Sequence, residues 1–210
     1  MTIFTAKVGD NSDLFPDVLS IFVPDGSRIL DMTFANGVFW KKVDVSKYNL
    51  TTNDLFNEKA SIHEDFRNTS FPEKEFDAVV LDPPYMRTNN KAGVMASNYN
   101  NQTINLKTHA AILQLYRDGI KEARRLLKYN GILIVKCQDE VESKKQKWTH
   151  IELMNSDGFI PEDLFVLVRN GGVLIRPTHK NQQHGRKNHS YFFNIAERQK
   201  WRKQLYITGK

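Results

Sequence analysis

The chain has 210 residues, room for one sizeable core, so a single domain over 1–210 is expected. Forty per cent hydrophobic residues, with three Trp, seven Tyr and thirteen Phe, exclude a disordered binding segment, and a net charge of +6 favours an anionic partner. The single cysteine, Cys137, excludes an internal disulfide and a cysteine-rich zinc site, and no apolar run has membrane-spanning length, so a soluble cytoplasmic protein is expected.

In chain order, Phe15, Val18, Leu19 and Phe22 recur at helical spacing, and Pro16 suits a first helical turn, so a helix is expected to end near 24–26. Residues 28–31 read as a short strand, 33–37 as a small-residue turn, and 38–43 as an aromatic helix. A second strand is expected over 48–54, followed by a helix or loop to Asp65. The run Ala78-Val79-Val80-Leu81 within 76–82 reads as a strand covered on both faces, stopped by Pro83-Pro84.

Over 108–128, Ile112, Leu115, Tyr116, Ile120, Ala123 and Leu127 form one helical face, with Asn130-Gly131 as its stop. Strands at 132–137, 164–168 and 191–196 and a short helix ending at Gly158 complete the pattern. Alternating strands and helices with apolar strands imply an α/β fold, a mainly parallel Rossmann-like sheet with helices on both faces. Ligands in such sheets bind beyond the carboxyl ends of strands where strand order reverses, and 31–37 and 82–85 sit at such ends.

Asp82-Pro83-Pro84-Tyr85, directly after an apolar strand, resembles the motif Asp/Asn/Ser-Pro-Pro-Tyr/Phe/Trp of the DNA amino-methyltransferases, which act on N6 of adenine or N4 of cytosine. The resemblance extends over about residues 28–137. It implies a class I methyltransferase sheet with a final antiparallel strand, S-adenosylmethionine as methyl donor, and catalysis by Asp82, Pro83, Pro84 and Tyr85. A base amine is a poor nucleophile, because its lone pair is delocalised into the ring, and it needs acceptors for its hydrogens as charge develops. Asp82 and the Pro83 carbonyl would supply them; the prolines hold that carbonyl rigid, and Tyr85 offers a face to the base.

Asp31-Met32-Thr33-Phe34-Ala35-Asn36-Gly37 is similar to the family's donor-binding turn, so Asp31, Thr33, Phe34, Ala35 and Gly37 are expected against the donor. Ala35 stands where the first glycine is usual, a replacement that serves unless the position needs positive φ. By the same resemblance Asp54, with Asp44 behind it, would hold the ribose hydroxyls, and Asp65 with Phe66 would meet the donor's adenine. A nicotinamide enzyme would need Gly-x-Gly-x-x-Gly after the first strand, which is missing.

Recognition of nucleic acid, with DNA the first choice, must then follow Tyr85. The Asn-rich stretch 86–107, with Arg87, Lys91 and Tyr99, emerges beside the proposed base pocket. The stretch 169–189 carries Arg169, Arg176, Lys180, Arg186, Lys187 and His189 and no acidic residue, and could track phosphates. His179, His184 and His189 are spaced too loosely, without Cys or carboxylate, to hold zinc, so no metal is expected. Cytosine N4, an RNA base, or a non-catalytic binding subunit of the same fold remain the alternatives.

Overall fold

The computed structural model describes residues 2–85, 106–155, 159–170, 184–185 and 187–197. Helix α1 (Asn11–Phe22) opens on a reciprocal cap in which Asp10 accepts from the Ser12 and Asp13 amides and Asp13 accepts from the Asp10 amide at 2.8 Å. This cap starts the helix ahead of its apolar periodicity, so Pro16 falls inside the helix and not in its first turn.

Before α1 runs a short strand, β1 (Ala6–Gly9), which composition does not announce; it exists because β8 (Phe159–Arg169) offers it a parallel edge. The other strands are β2 (Arg28–Asp31), β3 (Asn49–Thr52), β4 (Phe76–Leu81), β5 (Leu127–Cys137) and β9 (His189–Glu197). They form one seven-stranded sheet in the order β1-β8-β9-β5-β4-β2-β3. All its pairings are parallel except those of β9, which runs antiparallel to both β5 and β8. The chain leaves β2 for β3 on one side and returns to β4 on the other, so the order reverses between β2 and β4, where open α/β sheets bind ligands.

β4 is buried on both faces, as its unbroken apolar run demands. Ala78 and Val80 pack toward α1, with Phe15, Phe39 and Trp40, while Val79 and Leu81 pack toward α2 (His109–Leu126), with Ile112, Leu115 and Tyr116. A short 3-10 segment, η1 (Val38–Lys42), stands where the aromatic helix is expected, and a second, η2 (Val45–Lys47), follows it. Phe39 and Trp40 both reach Phe15, at 4.9 and 5.1 Å between ring centroids.

Asn130-Gly131 does not stop a helix. β5 begins at Leu127, directly after α2, and Asn130, at φ +63°, marks an irregularity where the register shifts from Phe76↔Leu127 to Ala78↔Ile132. Asn tolerates that left-handed conformation, so the bulge is bridged inside the strand. The second expected strand ends at Thr52, and turns and loops carry the chain from there to β4. After β5 come a small hairpin, β6 (Glu140–Glu142) with β7 (Lys145–Lys147), and α3 (Thr149–Met154). No described helix is long and apolar enough to cross a membrane.

Candidate active site

The carboxyl ends of β2, β4 and β5 lie side by side, and each delivers a charged residue to the α1 face of the sheet. From β2 comes Asp31, 2% exposed, whose carboxylate accepts from the Trp40 indole N–H at 2.7 Å and the Thr33 amide at 3.1 Å. Burial pushes its carboxyl up to about 7; the two hydrogen bonds oppose this, and the nearby charges of Asp82 and Asp54 add to it.

The turn after Asp31 is closed from several sides. Asn53, fully buried, donates to the Met32 carbonyl and gives its backbone carbonyl to the Phe34 amide. Asp54 accepts from the Ala35 amide at 2.9 Å, and its other oxygen accepts from the amides of Phe56 and Asn57. Ala35 adopts φ +46° and Gly37 φ +65°, so both positions of the turn lie in the region that favours glycine. A Cβ on Gly37 would come within 2.6 Å of the Phe34 ring.

From β4 comes Asp82, whose amide donates to the Thr33 hydroxyl at 2.7 Å, tying the proline-rich segment to the β2 turn. From β5 comes Lys136, with its side chain 3% exposed, whose ammonium lies 3.1 and 3.0 Å from the two Asp82 oxygens. The same nitrogen lies 4.5 Å from the Tyr85 ring centroid and 3.5 Å from its hydroxyl. Arg169, at the end of β8, donates to the Tyr85 hydroxyl at 3.0 Å. The Lys136 carbonyl accepts from Tyr116 of α2 at 2.8 Å, which locks the strand end.

Burial raises the Asp82 carboxyl above its ordinary value, with the positive charges of Lys136 and Arg169 opposing it. Burial pulls the Lys136 ammonium down, but the charge of Asp82, that of Tyr85 and the hydrogen bonds to both together outweigh it, and the net shift is upward. One ammonium within hydrogen-bond reach of both oxygens makes the ionised pair the form the geometry favours.

The residues present suit a cationic methyl donor. Three carboxyl groups converge on the switch point with Lys136 and Arg169 as the nearby cations among the described residues, and a ligand bearing positive charge there would relieve Asp31. Asp54 has three acceptor directions already taken by backbone amides, which leaves one for a ribose hydroxyl and not a pair. Asp65 is engaged by its neighbour Arg67 through several N–H···O contacts, and Phe66 packs partly buried where a Cβ on Gly119 would meet it at 2.8 Å. Asp44 caps η2 by accepting from the amide and hydroxyl of Ser46.

Of the residues expected to meet nucleic acid, Arg169 is turned onto Tyr85. The Lys187 ammonium lies 5.6 Å from the ring centroid of the half-exposed Trp148, and His189 lies 3.0 Å from the Tyr191 hydroxyl. Arg87, Lys91, Tyr99, Arg176, Lys180 and Arg186 lie outside the described residues. Sequence reasoning placed Lys136 at the end of a central strand near the site without giving it a role, and singled out neither Trp40 nor Asn53. Lys136 had a visible signal, a charge closing the apolar run Ile-Leu-Ile-Val-Lys-Cys.

The family model of the DNA methylases matches residues 76–206, more than half of the chain. No curated protein matches significantly. Among solved structures, the chain is similar to TrmN from Thermus thermophilus, with 17% identity over 88% of this chain and 48% of that one and a TM-score of 0.54. It is similar to a SAM-dependent methyltransferase from Methanosarcina mazei, with 12% identity over 86% and 97% of the two chains and a TM-score of 0.50. An rRNA methylase from Streptococcus thermophilus matches at 12% identity over 92% and 99%, also with a TM-score of 0.50. At these identities the likeness shows the fold, and the chain spans about half the length of TrmN.

Proposed function

Because the chain belongs to the N6/N4 DNA methylase family and has the fold of class I S-adenosylmethionine-dependent methyltransferases, we propose that it methylates an exocyclic amino group of a nucleic-acid base, N6 of adenine in DNA. The family and the fold imply S-adenosylmethionine as cofactor; when bound, it supplies an electrophilic methyl group. The turn Asp31, Thr33, Phe34, Ala35 and Gly37, with Asp54, would hold it.

In this reading the Asp82 carboxylate accepts one hydrogen of the target amine and the Pro83 carbonyl the other, so the nitrogen lone pair is freed from the ring for attack. Pro84 keeps the segment rigid, and Tyr85 stacks on the base. The new N–C bond would form as the donor's sulfur–methyl bond breaks and its electron pair returns to sulfur, and the nitrogen would shed one proton to Asp82 or water. No residue needs to bond covalently to the base; alignment of the two reactants carries the rate.

The observation that carries the reading is the hydrogen bond of 2.7 Å from the Asp82 amide to Thr33, which joins the amine-accepting segment to the turn expected to hold the donor. A single domain over 1–210 is part of the proposal, with 86–107 and 169–189 as the segments that engage nucleic acid. The net charge of +6 supports a phosphate-bearing partner.

Incubation with methyl-labelled donor and unmethylated DNA is expected to label adenine, read by digestion to nucleosides; no incorporation into any DNA or RNA would overturn the proposal. One of the fold relatives, the Streptococcus thermophilus protein, is an rRNA methylase, so RNA substrates belong in the same assay as the second reading. Asp82→Ala should lower turnover by about 1,000-fold while donor binding, followed by calorimetry, survives.

A further inference from the structure

Lys136 is the one charged side chain of the run 132–137, and folding alone does not account for it. An apolar residue at that position would continue the strand without desolvating an ammonium, and buried ion pairs are weak stabilisers compared with apolar isosteres. Its neighbours instead place it in the chemistry. It reaches both oxygens of Asp82 and lies over the Tyr85 ring.

Resting on the functional reading above, we propose that Lys136 is the positioning residue of the amine-accepting site: it holds Asp82 as an acceptor-only carboxylate and covers one face of Tyr85, so that the target base stacks on the other. A carboxylate has about four lone-pair directions. Lys136 occupies one on each oxygen and leaves the remainder for the N–H of a base amine. Were Asp82 protonated, one oxygen would become a donor facing a donor.

The groups that face Asp82 come from several elements. Burial works against the ionised form of Asp82, Lys136 on β5 and Arg169 on β8 favour it, and the charge of Asp82 in turn raises the carboxyl of Asp31 on β2. Tyr85 lies in its own segment, and the buried thiol of Cys137 is adjacent on β5. Arg169 and Lys136 together grip Tyr85 at its hydroxyl and over its ring, so the stacking surface is held from two strands.

The test compares full-length native protein with Lys136→Met and Lys136→Arg in single-turnover methylation across pH, with donor affinity measured by calorimetry. Lys136→Met should cut the rate about 100-fold at neutral pH, move the acid limb of the profile to higher pH, and leave donor affinity nearly unchanged. Lys136→Arg should restore most of the rate and the native limb. Lys128→Met, which removes a lysine at the far end of the same strand pair, should change nothing.

A Lys136→Met profile that coincides with the native one, at a rate within about threefold, overturns the proposal. If that variant fails to fold, the pair Lys136→Met with Asp82→Asn removes both charges, and its acid limb should vanish; a surviving native limb overturns the proposal too. Carbon-13 titration of the Asp82 carboxyl gives a readout independent of activity. It should move up in Lys136→Met, and an unmoved titration defeats the role of Lys136. A native protein that methylates no nucleic acid defeats the functional reading instead.

Discussion

Two lysine–aspartate pairs join β4 to β5, one at each end of the strands, and they differ in almost everything but chemistry. At the carboxyl end Lys136 and Asp82 meet at 3.0 Å with side chains 3% and 16% exposed; at the amino end Lys128 and Asp77 meet at 2.8 Å with side chains 45% and 39% exposed. The exposed pair is screened by water and sits beside Arg28, whose amide donates to Asp77 and whose guanidinium pairs with Glu75. The buried pair sits beside a strained turn, two further carboxyl groups and an aromatic ring. A pair that folding needs can stay in solvent, whereas one shut away from water must be maintained against desolvation.

The largest expected contrast comes from breaking each pair on one side. Lys136→Met should lose about 3–5 kcal/mol of stability in denaturant unfolding, because it leaves Asp82 charged, buried and without its main partner. Lys128→Met should stay within about 1 kcal/mol. Equal losses at the two ends would remove the distinction.

A smaller effect, opposite in sign at the two ends, concerns pH. Asp31 carries a folded value of about 7, above its unfolded one, so between about pH 4 and 7 the folded state keeps a proton that the unfolded state has released. Stability therefore falls as pH rises through that window, on the order of 1 kcal/mol per unit, and Asp31→Asn should flatten most of the slope. At the amino end, burial raises Asp77 but Lys128 and Arg28 outweigh it, leaving its carboxyl below the ordinary value. Its contribution is present at neutral pH and is lost as pH falls. Unfolding curves for Asp31→Asn and Asp77→Asn that respond to pH in the same direction would contradict this.

The smallest expected effect sharpens the contrast in strain. Ala35 is held at φ +46° in the turn after β2, so Ala35→Gly should gain up to about 1 kcal/mol, measured by thermal unfolding. Gly37→Ala should do the reverse, since its new Cβ would press on the Phe34 ring.

Much of the fold was legible because strong local patterns coincided with it. The apolar run ending in Pro83-Pro84 could only be a covered strand that stops, and the face formed by Ile112, Tyr116, Ile120 and Ala123 could only be a helix against a sheet. Asn130-Gly131 misled because the same left-handed preference serves a helix end and a strand bulge, and only the pairing of β5 with Phe76 and Ala78 chooses between them. β1 was invisible because four residues carry no period, and the strand forms on an edge supplied more than 150 residues later in the chain.

The candidate site divides in the same way. Asp82 to Tyr85 and the turn from Asp31 to Gly37 stand out in one dimension, because proline, glycine and strand ends are local features. The partners of those residues are not local: Trp40 on Asp31, Asp54 on Ala35, and Lys136 and Arg169 on Asp82 and Tyr85 are brought in by strand order.

The linear chain alone was enough to set which segments become strands and helices and where a rigid acceptor follows a strand, since φ restriction and hydrophobic period act over a few residues. Which charge faces which, how dry each one is, and hence whether a carboxyl is poised or merely solvated, was left to the packed sheet, because burial and Coulomb forces depend on distance in space and not along the backbone.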